Sequence, residues 1–580
     1  MNKDLITNYE KIKKLNISDL ENQADLIRKY IIETVSNNGG HLSSNLGVVE
    51  LTLAIHYVFN SPIDKIIFDV GHQDYAHKIL TDRCNEFETL RKKDGISGFP
   101  SYSESIHDAW EGGHSSTSIT SAIGMAIAKE SGVDNIGEII AIIGDGSISN
   151  GLALSGLNYL VENKKNKIIL IVNDNEMSIG ASIGAISKSL SEIKINDSNN
   201  NDNNLFTSLG FKYLGPIDGH DIKLLINCLK FAKDYNESII IHVKTIKGKG
   251  YKFAEEDKVG KWHGVGPFNI ETGEFKNNNN KDLISWNKIA SSALNDLLNK
   301  RNDIKVICPG MLYGTGLDIV KNSFPNKVID VGINEEMAFV MAAALAKHNI
   351  IPIVSVYSTF FQRAYDEANN EINRTNSHVV ILLDHCGIVS HDGSTHQGIY
   401  DLSLLTHLNN FVISAPKNQN EFNQLLDISI SHKCPFAIRY SKDPTLIDND
   451  NKLIEFGKWI VELELRKTNI ISYGNDVTLI KEELISQNKQ IGLINAIFIK
   501  PIDYELLNSL KDTTLIIYEE VASVGSLSSL ISEYSLKNNL NIHIIFYNII
   551  SDKINLIKEG TKEEILDQLG LNIKNIIQKY

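Results

Sequence analysis

Short apolar runs rich in isoleucine and valine recur along the chain, and segments long enough for helices separate them. Apolar runs without polar alternation are typical of strands that are buried on both faces of a parallel sheet. The pattern predicts strands at 139–143, 168–172, 239–243, 379–383, 478–480, 492–494 and 515–518. Strands that alternate with helices predict an α/β fold with mostly parallel sheets, and the alternation is repeated more than once.

Polar, Asn-rich segments interrupt this pattern. The segment 191–204 is typical of a surface loop, and 271–282 is typical of a linker because a fresh helical pattern follows at 283–300. A further boundary is expected near 443–452, between two apolar regions. We therefore predict three α/β domains, which span residues 1–275, 281–445 and 452–580.

Composition narrows the class of protein. The 580 residues suffice for several cores, and 57 basic against 71 acidic residues give a net charge of −14, which argues against nucleic-acid binding. The five cysteines are scattered and form no CxxC pair, which indicates reduced thiols. No apolar run approaches the roughly 20 residues of a membrane span, and the first residues resemble no signal peptide. We expect a soluble, cytoplasmic protein.

Two strand ends carry candidate metal ligands. The run 139–143 leads into Gly144-Asp145-Gly146, and the run 168–172 leads into Asn173-Asp174-Asn175. Consecutive strands of a βαβ unit are parallel, so both loops should lie at one carboxyl edge, where such sheets bind ligands. Carboxylate and amide oxygens suit Mg²⁺, and the glycines let backbone amides approach a phosphate. Either loop alone is most often a simple turn; the pair favours a metal and diphosphate site.

Three histidines lie next to glycine in short polar stretches before this motif: His41, His72 and His114. Histidine changes its charge near neutral pH and therefore suits proton transfer to substrate oxygens. A structural role in a turn is the alternative for any one of them. Three such loops in one predicted domain favour a role in catalysis.

These motifs continue into longer segments whose order and sequence resemble one enzyme family. The segments are GPIDGHD, KGKGYKFAEED, KWHGVGPF, YSTFFQRAYDE and GIVSHDGSTHQGIYDLS. They resemble the 1-deoxy-D-xylulose-5-phosphate synthases from about residue 17 to the end of the chain. The spacing of GDG and NDN likewise resembles the thiamine diphosphate motif.

The resemblance implies a transferase that condenses pyruvate with D-glyceraldehyde 3-phosphate on thiamine diphosphate and releases carbon dioxide. The product serves isoprenoid, thiamine and pyridoxal synthesis. The resemblance also implies that the protein is a homodimer that uses Mg²⁺ as a second cofactor. Thiamine diphosphate would be held between the first and second domains of one chain, and the third domain would resemble the transketolase C-terminal domain.

The resemblance further implies a role for individual residues. The metal ligands would be Asp145, Asn175 and the carbonyl of Met177. The cofactor would be bound by His72, Gly113, His114, Ser115, Gly146, Ser147, Asn175, Tyr251, Glu335 and Phe360. Glu335 would supply the catalytic carboxyl, and His41, His263 and His396 would move protons. The substrates would contact His41, Tyr357, Arg363, His385, Asp392, His396 and Lys442.

Several positions depart from the family pattern. His385 and Lys442 stand where the family has arginines that are associated with the acceptor phosphate, Asn334 and Met337 flank the glutamate segment, and the stretch 188–204 is short. Because Glu336 lies beside Glu335, Glu335 could instead be an exposed carboxylate at a helix start.

His385 and Lys442, which replace the two arginines, favour an alternative function: a carboligase that uses another aldehyde.

A second alternative is a silent paralogue that binds the cofactor without turnover. It is argued against by the joint presence of Asp145, Asn175 and Glu335.

Overall fold

The computed structural model describes residues 3–177, 180, 182–195, 204–276, 282–447, 452–554 and 557–580. The chain divides into two compact units, Met1–Asn278 and Asn279–Tyr580. Much of the predicted segments 191–204 and 271–282 lies outside the described residues.

The described residues of unit 1 form seven strands and ten α-helices. The strands are β1 (Gly40–His41), β2 (Lys65–Phe68), β3 (Ile139–Gly144), β4 (Ile169–Asp174), β5 (Lys212–Asp218), β6 (Ile239–Lys244) and β7 (Gly264–Val265). The helices are α1 (Ile17–Asn38), α2 (Ser43–Gly47), α3 (Val49–Val58), α4 (Tyr75–Lys78), α5 (Ser118–Glu130), α6 (Gly151–Glu162), α7 (Ala185–Glu192), α8 (Leu205–Leu209), α9 (Ile222–Asp234) and α10 (Lys252–Glu255).

The main sheet of unit 1 is parallel, with the strand order β2-β3-β4-β6-β5. Side chains of β3, β4 and β6 alternate between two cores, one shared with α1, α3 and α9 and the other with α5 and α6. The unbroken apolar runs of these strands follow from burial on both faces. Gly144 is paired with Asn173, so the two predicted loops begin side by side at the carboxyl edge.

Unit 2 holds the remaining elements. Its strands are β8 (Leu283–Ile284), β9 (Ile304–Cys308), β10 (Val328–Asp330), β11 (Ile351–Tyr357), β12 (Val380–Asp384), β13 (Val412–Ser414), β14 (Phe436–Arg439), β15 (Thr445–Leu446), β16 (Ile460–Leu463), β17 (Thr468–Ser472), β18 (Gly492–Asn495), β19 (Phe498–Lys500), β20 (Thr514–Ala522) and β21 (His543–Ile549). Its helices are α11 (Trp286–Lys300), α12 (Leu317–Ser323), α13 (Glu335–Lys347), α14 (Ser358–Phe361), α15 (Tyr365–Glu367), α16 (Asp401–Leu405), α17 (Gln419–Ser431), α18 (Asn475–Ser486), α19 (Tyr504–Ser509), α20 (Leu527–Lys537), α21 (Ser551–Ile554), α22 (Lys562–Leu569) and α23 (Ile573–Gln578).

Two larger sheets organise unit 2. The seven-stranded sheet has the order β10-β9-β11-β12-β14-β13-β19 and is parallel except for β19. The five-stranded sheet has the order β16-β18-β17-β20-β21 and is parallel except for β16. These sheets and that of unit 1 confirm the α/β class. The division into three domains stays a prediction, and β19 belongs by sequence to the third of them but pairs with β13.

One predicted strand is wrong. The run 478–480 lies inside helix α18, and the strand of that region is β17. Val477, Ile480 and Leu484 are buried at helical spacing, and a three-residue run is too short to reveal that period. Among the described residues, no helix is long and apolar enough to cross a membrane.

Candidate active site

The loop after β3 holds Asp145 in a buried position. Asp145 is 1% exposed, its Oδ2 accepts a hydrogen bond of 2.6 Å from Ser182 Oγ, and its backbone N–H donates to Asn173 O. Burial raises the pKa of Asp145 to about 6, and the Ser182 hydrogen bond opposes that rise. A buried carboxylate needs a nearby positive charge to compensate its own charge, and a divalent cation bound here would supply it.

The loop after β4 presents amide and carbonyl oxygens beside it. Asn175 Oδ1 accepts a hydrogen bond from Met177 N at 3.1 Å, so the side chain folds over its own turn. Over the described ranges no cluster of three or more His, Cys, Asp or Glu side chains could hold a metal. A site here would therefore rest on Asp145, the Asn175 amide and a backbone carbonyl, which fits the few oxygens that Mg²⁺ takes from proteins.

The predicted segment 113–115 is tied to the same edge of the sheet. Asp69, which directly follows β2, accepts hydrogen bonds from the backbone of Ser116 at 2.8 Å and of Ser118 at 3.1 Å. Ser116 Oγ donates to Ser147 O at 2.8 Å. The structure thus brings the loop of His114 and Ser115 next to the loop of Gly146 and Ser147, as one cofactor-binding edge requires.

Three histidines from distant segments form a triangle of rings. The centroids lie 5.4 Å apart for His41 and His72, 5.5 Å for His41 and His263, and 5.1 Å for His72 and His263. Pairing of β1 with β7 places His41 opposite Gly264 and so beside His263. The structure therefore unites three of the predicted histidines.

Asn45 fixes the backbone under this triangle. It is fully buried, and its Nδ2 donates to His41 O at 2.8 Å and to His72 O at 2.7 Å. Its Oδ1 accepts a hydrogen bond from Tyr75 N, and the Tyr75 hydroxyl accepts one from His41 N. The side-chain amide of Asn45 thus joins the backbone of the His41 loop to that of the His72 loop.

His263 is kept neutral by its surroundings. Burial lowers its pKa well below the ordinary value, and the charge of Lys247 acts in the same direction. Within the described part of the chain, His263 Nδ1 is buried and has no hydrogen-bond partner. Lys247 is buried as well, and burial lowers its pKa to about 8 despite the nearby Asp145. The charge of Lys247 acts both on Asp145 and on His263.

Tyr251 packs into an aromatic cluster of unit 1. Its ring contacts Trp262 and Phe268, and its hydroxyl donates to Ile270 O at 3.0 Å. Its predicted contact with the cofactor stays a prediction.

In unit 2, Glu335 is the first residue of helix α13 and is 3% exposed. Its Oε2 has no hydrogen-bond partner among the residues described, and Arg363 Nη1 lies 4.0 Å away. Burial raises the pKa of Glu335 to about 7, and the charge of Arg363 opposes that rise. Glu336 is more exposed, so burial favours Glu335 over its neighbour as the functional carboxyl.

Aromatic rings predicted to line the site lie in a row. Tyr357 stacks on His385 with centroids 3.9 Å apart and on Phe360 at 5.7 Å, and Phe360 meets His396 edge-on at 5.6 Å. Four predicted residues from β11, α14, the end of β12 and the HDGSTHQG loop are therefore contiguous.

The two residues that replace arginines have carboxylate partners. Lys442 Nζ lies 2.5 Å from Asp392 Oδ2, and His385 Nδ1 lies 2.9 Å from Asp384 Oδ1. His385 has a φ of +59°, a strained value for a residue with a side chain. Each of the two side chains is thus held in place by a neighbouring carboxylate.

Comparison with known proteins identifies the same enzyme family as the sequence motifs. The model of the 1-deoxy-D-xylulose-5-phosphate synthase family matches residues 4–202 and 196–245, and that of the transketolase pyrimidine-binding domain matches 282–445. A 1-deoxy-D-xylulose-5-phosphate synthase of Listeria monocytogenes serotype 4b is 40% identical over 582 residues, which cover 98% of this chain and 95% of the relative. The chain belongs to the 1-deoxy-D-xylulose-5-phosphate synthase family.

A second relative agrees with membership of this synthase family. The synthase of Clostridium tetani is also 40% identical, over 98% of this chain and 97% of its own. A transketolase structure from Campylobacter jejuni is 19% identical over 97% of this chain and 99% of its own, with a TM-score of 0.45. As a member of the synthase family, the chain is an enzyme of the transketolase type that depends on thiamine diphosphate.

Three residues that interact with predicted site residues are absent from the sequence prediction: Asn45, Ser182 and Lys247. Lys247 opens the motif KGKGY, and its place soon after β6 at the carboxyl edge was a usable signal. Asn45 and Ser182 act through hydrogen bonds to distant segments, and no local pattern marks them.

Proposed function

We propose that this protein condenses pyruvate with D-glyceraldehyde 3-phosphate to give 1-deoxy-D-xylulose 5-phosphate and carbon dioxide. The observation that carries the proposal is Glu335, a buried carboxyl at a helix start with a pKa near 7 and an oxygen that has no hydrogen-bond partner in the described chain. Membership of the synthase family supports the same reaction.

Unit 1 would hold the charged end of the cofactor. Asp145, Asn175 and the carbonyl of Met177 would bind Mg²⁺, whose charge would compensate both the buried carboxylate and a diphosphate. The backbone amides of Gly146 and Ser147 and the side chains of His114 and Ser115 would contact the diphosphate.

Unit 2 would hold the pyrimidine end. Thiamine diphosphate, when bound, supplies a carbon nucleophile and accepts the electrons that decarboxylation releases. Glu335 would share a proton with the pyrimidine, for which a carboxyl pKa near neutrality is suited. Phe360 would face the pyrimidine ring.

The histidines would handle protons on the substrate side. His263 stays neutral at working pH because burial and Lys247 disfavour its charged form, so its ring can donate a hydrogen bond from one nitrogen and accept one at the other. His41, in ring contact with His263, and His396 from unit 2 are the other candidates.

Tyr357, Arg363, His385, Asp392 and Lys442 would line the acceptor side. The cations among them suit a phosphate ester, and the carboxylate partners of His385 and Lys442 hold these side chains for it.

The reaction itself is tested with purified protein, thiamine diphosphate, Mg²⁺, ¹³C-labelled pyruvate and D-glyceraldehyde 3-phosphate. We expect labelled 1-deoxy-D-xylulose 5-phosphate by NMR, and no product when cofactor is omitted or when Glu335 is replaced by Gln. Carbon dioxide release without this product would contradict the proposal.

We also propose that the enzyme is a homodimer in the cytoplasm and that its product serves isoprenoid and thiamine synthesis. Family membership supports both statements. Sedimentation equilibrium of the purified chain tests the dimer, since a monomer of 64.6 kDa is readily distinguished from twice that mass.

A further inference from the structure

Three polar side chains lie on one face of the unit 1 sheet, in an otherwise apolar layer. Tyr213 of β5, His242 of β6 and Asp174 at the end of β4 share the face of Ile240, Leu170 and Val172, since side chains alternate along strands. All three are buried, with exposures of 8%, 0% and 2%. A histidine inside the run IIIHV costs free energy unless its ring nitrogens are satisfied.

Hydrogen bonds join the three side chains into a chain. The Tyr213 hydroxyl lies 2.6 Å from His242 Nδ1, and His242 Nε2 lies 2.9 Å from Asp174 Oδ2. Burial raises the pKa of Tyr213, so its hydroxyl stays protonated and donates to Nδ1. When Nδ1 accepts that hydrogen bond, Nε2 carries a proton and donates it to Asp174, so the two contacts fix the orientation of the ring.

Asp174 is hydrogen-bonded to the loop after β4, which carries the candidate metal ligand Asn175. Its Oδ1 accepts a hydrogen bond from Glu176 N at 3.2 Å, and its carbonyl accepts one from Thr245 N at 3.0 Å. Glu176 has a φ of +59°, so the turn is strained and needs support from outside. Asn175, the candidate metal ligand, lies in the chain between Asp174 and Glu176, which this hydrogen bond joins.

We propose that Tyr213 and His242 are positioning residues that orient Asn175 for the metal through Asp174. This inference rests on the proposed function, because it presupposes that Asn175 binds Mg²⁺. Lys244 Nζ lies 3.8 Å from Asp174 Oδ2 and contributes charge, but the directional hydrogen bond to that oxygen comes from His242. Supporting residues of this kind typically change metal affinity by about 10- to 100-fold.

The test compares two variants that each lose one buried tyrosine hydroxyl. Tyr213→Phe removes the donor to His242, and Tyr30→Phe removes a donor to Cys84 O at 2.9 Å in the same unit. We expect similar losses of thermal stability, because each loses one hydrogen bond. Calorimetric titration with Mg²⁺ at saturating thiamine diphosphate should give a dissociation constant at least about 10-fold higher for Tyr213→Phe alone.

A second pair of variants, both at His242, separates positioning from packing. His242→Gln removes the ring but keeps a donor toward Asp174, and it should bind Mg²⁺ more tightly than His242→Leu, which keeps no donor. Equal Mg²⁺ affinity for Tyr213→Phe and Tyr30→Phe would overturn the inference while leaving the proposed function intact. A wild-type protein that binds neither thiamine diphosphate nor Mg²⁺ would overturn both.

Discussion

Asp145 and Glu335, the carboxyl groups that we assign to the cofactor, are alike in being buried with raised pKa values. Neither forms an ion pair shorter than 4.0 Å with a basic side chain in the chain as described. A buried carboxyl without a close cation costs folding free energy, so both positions are built to receive a ligand. Substitution of each carboxyl in turn can separate the role of Asp145 in cofactor binding from the role of Glu335 in proton transfer.

The first prediction concerns Asp145. Replacement by Ala removes the anionic oxygen from the metal site, so affinity for thiamine diphosphate with Mg²⁺ should collapse while the fold survives. Calorimetric titration measures the affinity, and circular dichroism checks the fold. Asp134→Ala, which removes an exposed carboxylate of the same unit, is the control. Near-normal cofactor affinity of Asp145→Ala would show that the metal lies elsewhere.

The second prediction concerns Glu335. Glu335→Gln keeps the size of the side chain but cannot share a proton, so the cofactor should bind while exchange of its C2 proton slows by about 10²- to 10⁴-fold. Quenched-flow NMR of the exchange measures this effect. Glu336→Gln is the matched control and should be nearly normal. The reverse result would move the catalytic carboxyl one residue along α13.

The third prediction concerns the acceptor. Arginine keeps its charge at any working pH and binds phosphate through two parallel hydrogen bonds, which an imidazole cannot form. His385→Arg should therefore lower KM for D-glyceraldehyde 3-phosphate relative to wild type.

Steady-state kinetics of His385→Arg and wild type measure this effect. His543→Arg, at an exposed histidine of β21, serves as the charge control. If His385→Arg gives no advantage, His385 does not face the phosphate.

Secondary-structure elements explain why the sequence predicted one half of the site better than the other. The loops of Asp145 and Asn175 follow consecutive strands of a βαβ unit, so chain order alone places them side by side. The histidine triangle depends on pairing between β1 and β7, two-residue strands that are far apart in the chain. Strands this short leave no periodic pattern in the sequence. The sequence therefore identified the histidines as candidates but could not predict that their rings are in contact.

The resemblance to a family supplied what periodicity could not. It selected Glu335 from two adjacent glutamates, and the burial of Glu335 supports that choice. The supporting residues Asn45, Ser182 and His242 were not predicted, because each acts across strands or loops rather than within a motif.

The fourth prediction tests the element that carries His41. Gly40 has a φ of +143°, and a Cβ there would lie 2.8 Å from the Tyr75 hydroxyl that accepts a hydrogen bond from His41 N. Gly40→Ala should therefore shift β1, lower kcat and destabilise the fold by about 1–3 kcal/mol. Gly124→Ala within α5 meets no atom within 4 Å and should stabilise by up to about 1 kcal/mol. Thermal unfolding and kcat of both variants provide the measurement, and equal behaviour would contradict the assigned role of β1.

At the scale of the whole molecule, the two units carry complementary chemistry. Unit 1 contains the candidate metal and diphosphate groups, and unit 2 contains Glu335, the aromatic row and the residues predicted to line the acceptor side. Two of the departures from the family pattern, His385 and Lys442, are on that predicted acceptor side, so the choice of aldehyde is the property on which the synthase and the alternative carboligase differ most.

The most direct test of the synthase assignment is therefore the ratio of kcat/KM for D-glyceraldehyde 3-phosphate to that for D-glyceraldehyde, with pyruvate as donor. Charge-assisted hydrogen bonds to the phosphate contribute about 1.5–3 kcal/mol each, so we expect a ratio of roughly 10 to 100 or more. A ratio near one would show that His385 and Lys442 bind no phosphate. The protein would then be a carboligase for another acceptor, and the synthase assignment would be wrong.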